Sequence, residues 1–199
     1  VEDKPSNNQK GPHRAGLFKS AFSNRMIFVY GTNGNKLENE WAFNKARYDA
    51  ETFWYRGNGA VEIIADSEYS RDRYPSNNII LFGHQEMNSA WDLVLENCPI
   101  RIKRRQIAIG DQVLVGDDLA AYFIYPMANN EMNSVGVIAG TGMPGLKSAS
   151  QNRYFTSGSG FPDFMIFRTA MLRHGNAGVV SAGFFDNTWN LNSKDSYIR

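Results

Sequence analysis

One segment, Met26–Asn39, most constrains the fold, because it combines a buried strand, a glycine-rich bend and the start of a helix. Its first part, Met26–Tyr30, is a continuous apolar run, which is typical of a central strand buried on both faces. The bend Gly31-Thr32-Asn33-Gly34-Asn35 follows directly. The same scheme recurs in two later predicted strands that run into glycine: Ile79–Phe82 before Gly83, and Ser134–Ala139 before Gly140.

Helices are predicted between these strands. The longest runs from about Leu37 to Arg56, and apolar residues at three- and four-residue spacing define its expected buried stripe: Phe43, Ala46, Ala50 and Phe53. Strands that alternate with helices predict an α/β fold with three layers. We therefore expect a mainly parallel sheet of the flavodoxin or Rossmann type, covered by helices on both faces.

The pattern changes between Ile100 and Val115. Two short apolar runs, Ile107–Ile109 and Val113–Val115, flank the turn Gly110-Asp111-Gln112. This arrangement predicts an antiparallel hairpin that branches from the main sheet. The basic run Lys103-Arg104-Arg105 is interpreted as the solvated face of an edge strand, with an anion-binding patch as the alternative.

The 199 residues suit one domain, which we place at residues 17–190. Residues 1–16 read as a linker or docking strap, with a frayed terminus as the alternative, and residues 191–199 as a disordered polar tail. The net charge of +1 gives no reason to expect nucleic acid. No apolar run is long enough to predict membrane insertion. The first residue is Val1, so an upstream portion of the protein is expected.

Ligands of open α/β sheets bind beyond the carboxyl ends of the strands, so a site is sought where the three glycine bends meet. The candidate ligand-binding residues are those of the bends and their immediate neighbours: Gly31, Thr32, Asn33, Asn35, His84, Asn88, Gly140 and Thr141. The first bend has neither the dinucleotide nor the phosphate-loop glycine spacing. The alternative is that these glycines only allow the chain to turn tightly.

His84 is the best single candidate for proton transfer or ligand contact, with a histidine bonded to its own loop as the alternative. Three scattered histidines and the single Cys98 predict no metal site and no disulfide. The segment Ser157-Gly158-Ser159-Gly160 lacks the spacing of a nucleophile elbow. We therefore predict no catalytic residue and no cofactor.

Six segments together resemble the C-terminal region of large prolyl-oligopeptidase-like α/β-hydrolases of Bacteroidetes and planctomycetes. They are ARYDAETFWYRGNG (46–59), NIILFG (78–83), RQIAIGDQVLVGDDLAAYFIYP (105–126), VGVIAGTGMPG (135–145), FPDFMIF (161–167) and SAGFFDNTW (181–189). The resemblance implies that the serine hydrolase machinery lies in an upstream domain of the same chain. It also implies that the parent protein is periplasmic or secreted, and it assigns no functional residue to this region.

Three functions are compatible with these observations. The first is a non-catalytic accessory domain that packs on a catalytic α/β-hydrolase domain and shapes substrate access or assembly. The second is a small-ligand site, or a weak enzyme, at the carboxyl ends of the strands. The third is a purely structural or oligomerising domain, expected if a large apolar patch lies elsewhere on the surface.

Overall fold

The computed structural model describes residue 6 and residues 8–23 and 25–198, with only the backbone described at 193, 195 and 198. Eleven strands are present among these residues: β1 (Met26–Tyr30), β2 (Glu62–Ala65), β3 (Asn78–Phe82), β4 (Ile100–Lys103), β5 (Gln106–Ile109), β6 (Gln112–Val115), β7 (Leu119–Pro126), β8 (Ser134–Gly140), β9 (Phe164–Arg168), β10 (Val179–Phe185) and β11 (Leu191–Ile198). The described helices are α1 (Lys36–Gly57), α2 (Trp91–Val94), α3 (Met143–Ala149) and α4 (Met171–His174). Three 3₁₀ helices complete the described elements: Phe18–Phe22, Asp66–Glu68 and Gly175–Gly178.

Eight strands form one mixed sheet in the order β11-β10-β9-β7-β8-β3-β1-β2. Pairing is parallel from β2 through β1 and β3 to β8, and antiparallel from β8 through β7, β9 and β10 to β11. The prediction of a mainly parallel sheet is therefore wrong. The reason is that short turns join β7 to β8 and β10 to β11, and a strand that returns through a short turn must pair antiparallel.

The prediction of three layers with helices on both faces is also wrong. Neighbouring side chains of β7 point to opposite faces: the Tyr122 ring lies 4.8 Å from Phe18, and the Phe123 ring lies 6.0 Å from Trp91. The face with Tyr122 packs against the Phe18–Phe22 helix, and α1 and α3 lie over the strands on that side. The segment between β3 and β7 supplies short α2 and a small sheet instead of a long helix.

The antiparallel hairpin predicted from the sequence is part of a small separate sheet. Strands β4, β5 and β6 pair in that order as a separate three-stranded sheet, and they do not extend the main one. Alternate residues face inward and are buried: Ile100, Ile102, Ile107 and Ile109. The small sheet is therefore a second layer stacked on the main sheet, which the alternating pattern alone could not distinguish from an added edge strand.

Helix α1 begins and ends close to the predicted residues, and most of the predicted stripe packs inward: Ala46 is buried, and Ala50 and Phe53 lie against the core. Phe43 is 41% exposed, whereas Glu38, Lys45 and Asp49 are buried. The helix thus turns charged side chains toward the sheet and leaves aromatic ones outside. Apolar spacing does not reveal these buried charges, because each is compensated by a partner: Lys45 and Asp49 pair with each other four residues apart, and Glu38 pairs with Arg104, 66 positions away.

Both ends of the described chain pack on the sheet. Lys10 Nζ lies 2.5 Å from Asp163 Oδ2 and 2.6 Å from the Phe185 carbonyl oxygen. The buried guanidinium of Arg14 donates to the carbonyl oxygens of Asn130 and Asn133. Residues 191–198, which we expected to be disordered, form the edge strand β11. The described helices include none that is both long and apolar enough to cross a bilayer.

Candidate functional site

The three glycine bends lie at one edge of the main sheet, as expected for neighbouring parallel strands. Strands β8, β3 and β1 are adjacent and parallel, so the residues that follow them share the edge at which these strands end. We call this the carboxyl edge, and it comprises the bends at 31–35, 83–88 and 140–142. Strand β2 brings Asp66 to the same edge.

Asp66 connects the first two bends. Its Oδ1 accepts hydrogen bonds from the backbone N–H of Thr32 (3.0 Å) and from the Thr32 hydroxyl (2.6 Å). Its Oδ2 accepts from the backbone N–H of Ser89 (2.6 Å) and from the Ser89 hydroxyl (3.0 Å). The residue is buried, so these donors replace water around the carboxylate. We did not select Asp66 from the sequence, although an aspartate directly after a strand at this edge was a usable signal.

Asn88 joins the ends of two strands. Its Nδ2 donates to the carbonyl oxygens of Val29 (2.9 Å) and Phe82 (3.3 Å), and its Oδ1 accepts from the Ala90 N–H (3.1 Å). The side chain is completely buried. Its polar atoms are therefore occupied by the backbone, and its role in this structure is to hold the edge together.

The other predicted site residues on the first bend differ in exposure. Asn35 caps α1, since its Oδ1 accepts from the N–H groups of Leu37 (3.0 Å) and Glu38 (3.1 Å). Asn33 is exposed, and Thr32 is half-buried on Asp66. A Cβ on Gly31 would lie 2.5 Å from the Met87 carbonyl oxygen, so the glycine is required for close backbone approach.

The third bend is closed by the chain around β6 and β7. The Thr141 hydroxyl donates to the Gly116 carbonyl oxygen (2.7 Å), and its Oγ accepts from the Leu119 N–H (3.3 Å). A Cβ on Gly140 would lie 2.4 Å from the backbone of Gly145. Thr141 and Gly140 therefore pack within the protein and do not face a ligand in this structure.

His84 lies at the centre of a polar cluster on the carboxyl edge and is completely buried. Its Nδ1 accepts from the Glu86 N–H at 3.2 Å, which places the proton of the neutral imidazole on Nε2. Nε2 lies 3.6 Å from Glu38 Oε1, beyond hydrogen-bond distance, and has no bonded partner among the described residues. Burial lowers the pKa of His84, and the nearby Glu38 carboxylate only partly opposes that effect.

Arg104 closes this cluster from the turn between β4 and β5. Its Nε and Nη2 donate to the two carboxylate oxygens of Glu38 at 3.2 and 2.8 Å, and its backbone N–H donates to Glu86 Oε2 at 2.6 Å. Burial acts to raise the pKa of Glu38, but the hydrogen bonds from Arg104 and the Asn35 N–H outweigh it, so this pKa is lowered. Neither Glu38 nor Arg104 was among the predicted site residues.

The interpretation of Lys103-Arg104-Arg105 as a solvated face agrees with the exposure of all three residues, but it misses a specific contact of Arg104. Its guanidinium forms a two-point pair with a buried carboxylate, which is a specific structural contact. The neighbouring Arg105 fixes the turn by its backbone, since its N–H donates to the Thr141 carbonyl oxygen at 2.8 Å. The basic turn thus fastens the small sheet onto the carboxyl edge.

This arrangement restricts the chemistry available at the edge. The enclosed imidazole of His84 faces Glu38 and not a cleft, so proton exchange with an external substrate would require Arg104 and the hairpin turn to move. Cys98 is no alternative nucleophile, because burial raises the pKa of its thiol to about 12. Within the described part of the chain, no group of three or more His, Cys, Asp or Glu side chains is placed to hold a metal ion.

Five cavities lie away from the carboxyl edge. They are formed by described residues and have volumes between 210 and 590 Å³. None of these five is lined by any of the predicted site residues. The structure brings the three bends together and packs the second and third against the small sheet, whereas Asn33 and Asn35 of the first bend are exposed. A ligand-binding role for these residues stays a prediction.

Comparison with known proteins gives the chain no family: no protein-family model matches it, and no curated protein matches it significantly.

The buried His84 predicts a specific dependence of stability on pH. Its pKa is lowered in the folded protein from the ordinary value of 6.5, so the unfolded chain binds this proton more readily. The stability that the neutral imidazole contributes is therefore present above about pH 6.5 and is lost as pH falls below it. We expect the free energy of unfolding, measured by urea denaturation, to decrease between about pH 7 and pH 5, and to decrease less in His84→Asn.

The exposed His174 provides a matched control, because His174→Asn makes the same chemical change outside the cluster. Its pH profile should equal that of the unsubstituted protein. The lowered pKa of Glu38 affects stability only at lower pH, below its ordinary value of 4.5, so the two effects are separable. An unchanged pH profile in His84→Asn would contradict the assignment of the decrease to His84.

Proposed function

We propose that this chain is a non-catalytic accessory domain that acts by packing against another protein domain. The principal observation is the closure of the carboxyl edge. There the imidazole of His84 and the side chains of Asn88 and Thr141 are buried. The β4–β5 turn packs on this edge through the Arg104–Glu38 pair and through the Arg105 N–H, which donates to the Thr141 carbonyl oxygen. Because α/β domains bind their substrates at this edge, its closure favours a role that does not depend on a substrate cleft.

A second observation supports an interaction role. Three aromatic side chains of α1 are more than half exposed to solvent: Tyr48 by 61%, Trp54 by 66% and Tyr55 by 82%. Tryptophan and tyrosine are enriched in protein interfaces and dominate their binding energy. Tyr48 and Tyr55 are seven residues apart, so they lie on the same side of the helix two turns apart. We call these three residues the aromatic surface of α1.

The partner is proposed from the sequence resemblance. A C-terminal region of prolyl-oligopeptidase-like α/β-hydrolases would pack on the catalytic domain of its own chain and shape substrate access or assembly. Placement outside the cytoplasm belongs to the same proposal. The aromatic surface is also compatible with self-association, which would make this a structural domain, and measurements of molecular mass in solution separate the two cases.

The first test concerns catalysis. The isolated chain and the full-length parent are assayed on one panel of esters and peptide arylamides. We expect the parent to cleave members of the panel and the isolated chain to give no turnover above the uncatalysed rate. The physical reason is that no accessible nucleophile and base lie together at the carboxyl edge. Turnover by the isolated chain comparable to that of the parent would overturn the proposal.

The second test concerns association. The isolated chain is titrated against the separately expressed catalytic domain of the parent, and binding is measured by calorimetry. Trp54→Ala combined with Tyr55→Ala should weaken binding at least tenfold, about 1.4 kcal/mol or more, because these side chains would lose their buried contact. Leu172→Ala is the matched control, since this apolar side chain is 54% exposed on α4.

The control should bind within about twofold of the unsubstituted chain. Equal weakening by Leu172→Ala and by the aromatic double substitution would remove the aromatic surface from the interface. Absence of any association, together with dimerisation of the isolated chain, would replace the accessory role with self-assembly.

A further inference from the structure

A polar cavity lies between the last turns of α1 and the segment that follows α3. Its volume is about 310 Å³, and we call it the α1 cavity. The helix contributes Tyr48, Asp49, Thr52 and Arg56, and the residues after α3 contribute the remainder: Ser150, Gln151, Asn152, Arg153, Phe155 and Thr156. It is separate from the carboxyl edge, and it shares only Tyr48 with the aromatic surface of α1.

A buried ionic cluster forms the floor of this cavity. Lys45 Nζ lies 2.7 Å from Asp49 Oδ1, and the Tyr154 hydroxyl donates to Asp49 Oδ2. All three side chains are buried, and Lys45 also lies over the Tyr154 ring. Both oxygens of Asp49 therefore accept hydrogen bonds from within the protein, and the positive charge of Lys45 balances its negative charge. The floor presents no uncompensated charge to the cavity.

The rim of the cavity differs, because it holds cationic groups without partners. Arg56 and Arg153 are both exposed, and neither guanidinium forms a salt bridge or hydrogen bond with a described residue. In contrast, Arg47 on another side of α1 lies 3.5 Å from Glu51. The two rim arginines thus give the cavity a net positive field that no described acidic side chain neutralises.

An independent observation concerns the side-chain amide of Asn152, which lines the cavity. The Nδ2 atom of Asn152 is inaccessible to solvent and has no hydrogen-bond partner among the described residues. A buried N–H donor left without an acceptor is unfavourable by about 1–3 kcal/mol, so such groups are rare without a reason. Because this atom is inaccessible in the unliganded structure, an acceptor atom in the α1 cavity would satisfy it only after the Asn152 side chain rotates toward the cavity.

We propose that the α1 cavity binds an oxyanion, namely the carboxylate or phosphate group of a small ligand. Guanidinium groups bind both kinds of anion through paired N–H donors, and the amide of Asn152 supplies a further donor. The balanced Lys45–Asp49 pair allows an anion to approach without repulsion from the floor. The volume of the cavity is at the lower end of the range for small-molecule sites, which suits a compact ligand.

The test is an NMR titration of the ¹⁵N-labelled chain with two probes, inorganic phosphate and glutarate, each at constant ionic strength adjusted with chloride. We expect saturable shifts of the Asn152 side-chain amide and of the backbone amides of Arg56 and Arg153. Arg56→Gln combined with Arg153→Gln should weaken binding at least tenfold. Arg47→Gln removes the same charge from the same helix and should leave affinity within about twofold.

Asn152→Ala provides a second variant that does not change the net charge, and it should also weaken binding. Saturation by only one of the two probes supports the site and identifies the class of anion. The proposal is overturned if neither probe produces saturable shifts up to about 50 mM, or if the double arginine variant binds as well as Arg47→Gln. The exposure of all three arginines makes loss of the fold an unexpected outcome, which the NMR spectrum of each variant reports directly.

Discussion

The two-point pair between Arg104 and Glu38 is the interaction on which the arrangement of this domain most depends. Glu38 belongs to the capping box at the start of α1, and its carboxylate also accepts from the Asn35 N–H at 2.8 Å. Arg104 belongs to the turn between β4 and β5 and also binds Glu86 through its backbone. One ion pair therefore connects the first bend, the second bend and the small sheet. Removing either partner would leave a buried charge or an open edge.

This pair also determines what the domain can do. An open α/β sheet usually offers a crevice where its parallel strands end, and here that crevice is filled. The side chains of Asp66 and Asn88 form hydrogen bonds with backbone groups at this edge, and the small sheet excludes solvent from His84. Along α1, aromatic side chains and unpaired arginines are exposed. The proposed accessory role and the proposed oxyanion site both depend on this helix and share Tyr48, but the substitutions that test them fall on different residues.

The sequence predicts the local elements of this fold well and its global arrangement poorly. Strand β1, helix α1 and the glycine bends follow from apolar runs and turn residues, which are local signals. The antiparallel pairing of β7 with β8 follows from the short turn between them, but the position of β7 between β8 and β9 depends on how the chain returns after the small sheet, which no local pattern specifies. The carboxyl edge shows the same limit. The sequence predicts that the ends of the parallel strands lie together, but it does not predict the contact between Arg104 and Glu38, which are 66 positions apart.

Buried charges account for the other differences. Lys45 and Asp49 lie on the inner face of α1, where an apolar stripe was expected, because each compensates the other and Tyr154 completes the cluster. Lys10, in the presumed linker, likewise reaches Asp163 across the sheet. Hydrophobic periodicity does not predict such pairs, because charged residues are expected at the surface unless their partners are known.

The most direct test of the closed carboxyl edge is the chemical accessibility of His84. The native protein is treated with diethyl pyrocarbonate, which modifies accessible imidazoles, and modification at each histidine is followed by mass spectrometry. The account predicts that His84 is modified far more slowly than the exposed His174, and as readily as His174 after unfolding in urea. Equal rates at His84 and His174 in the native protein would show that the edge is open and would contradict the account.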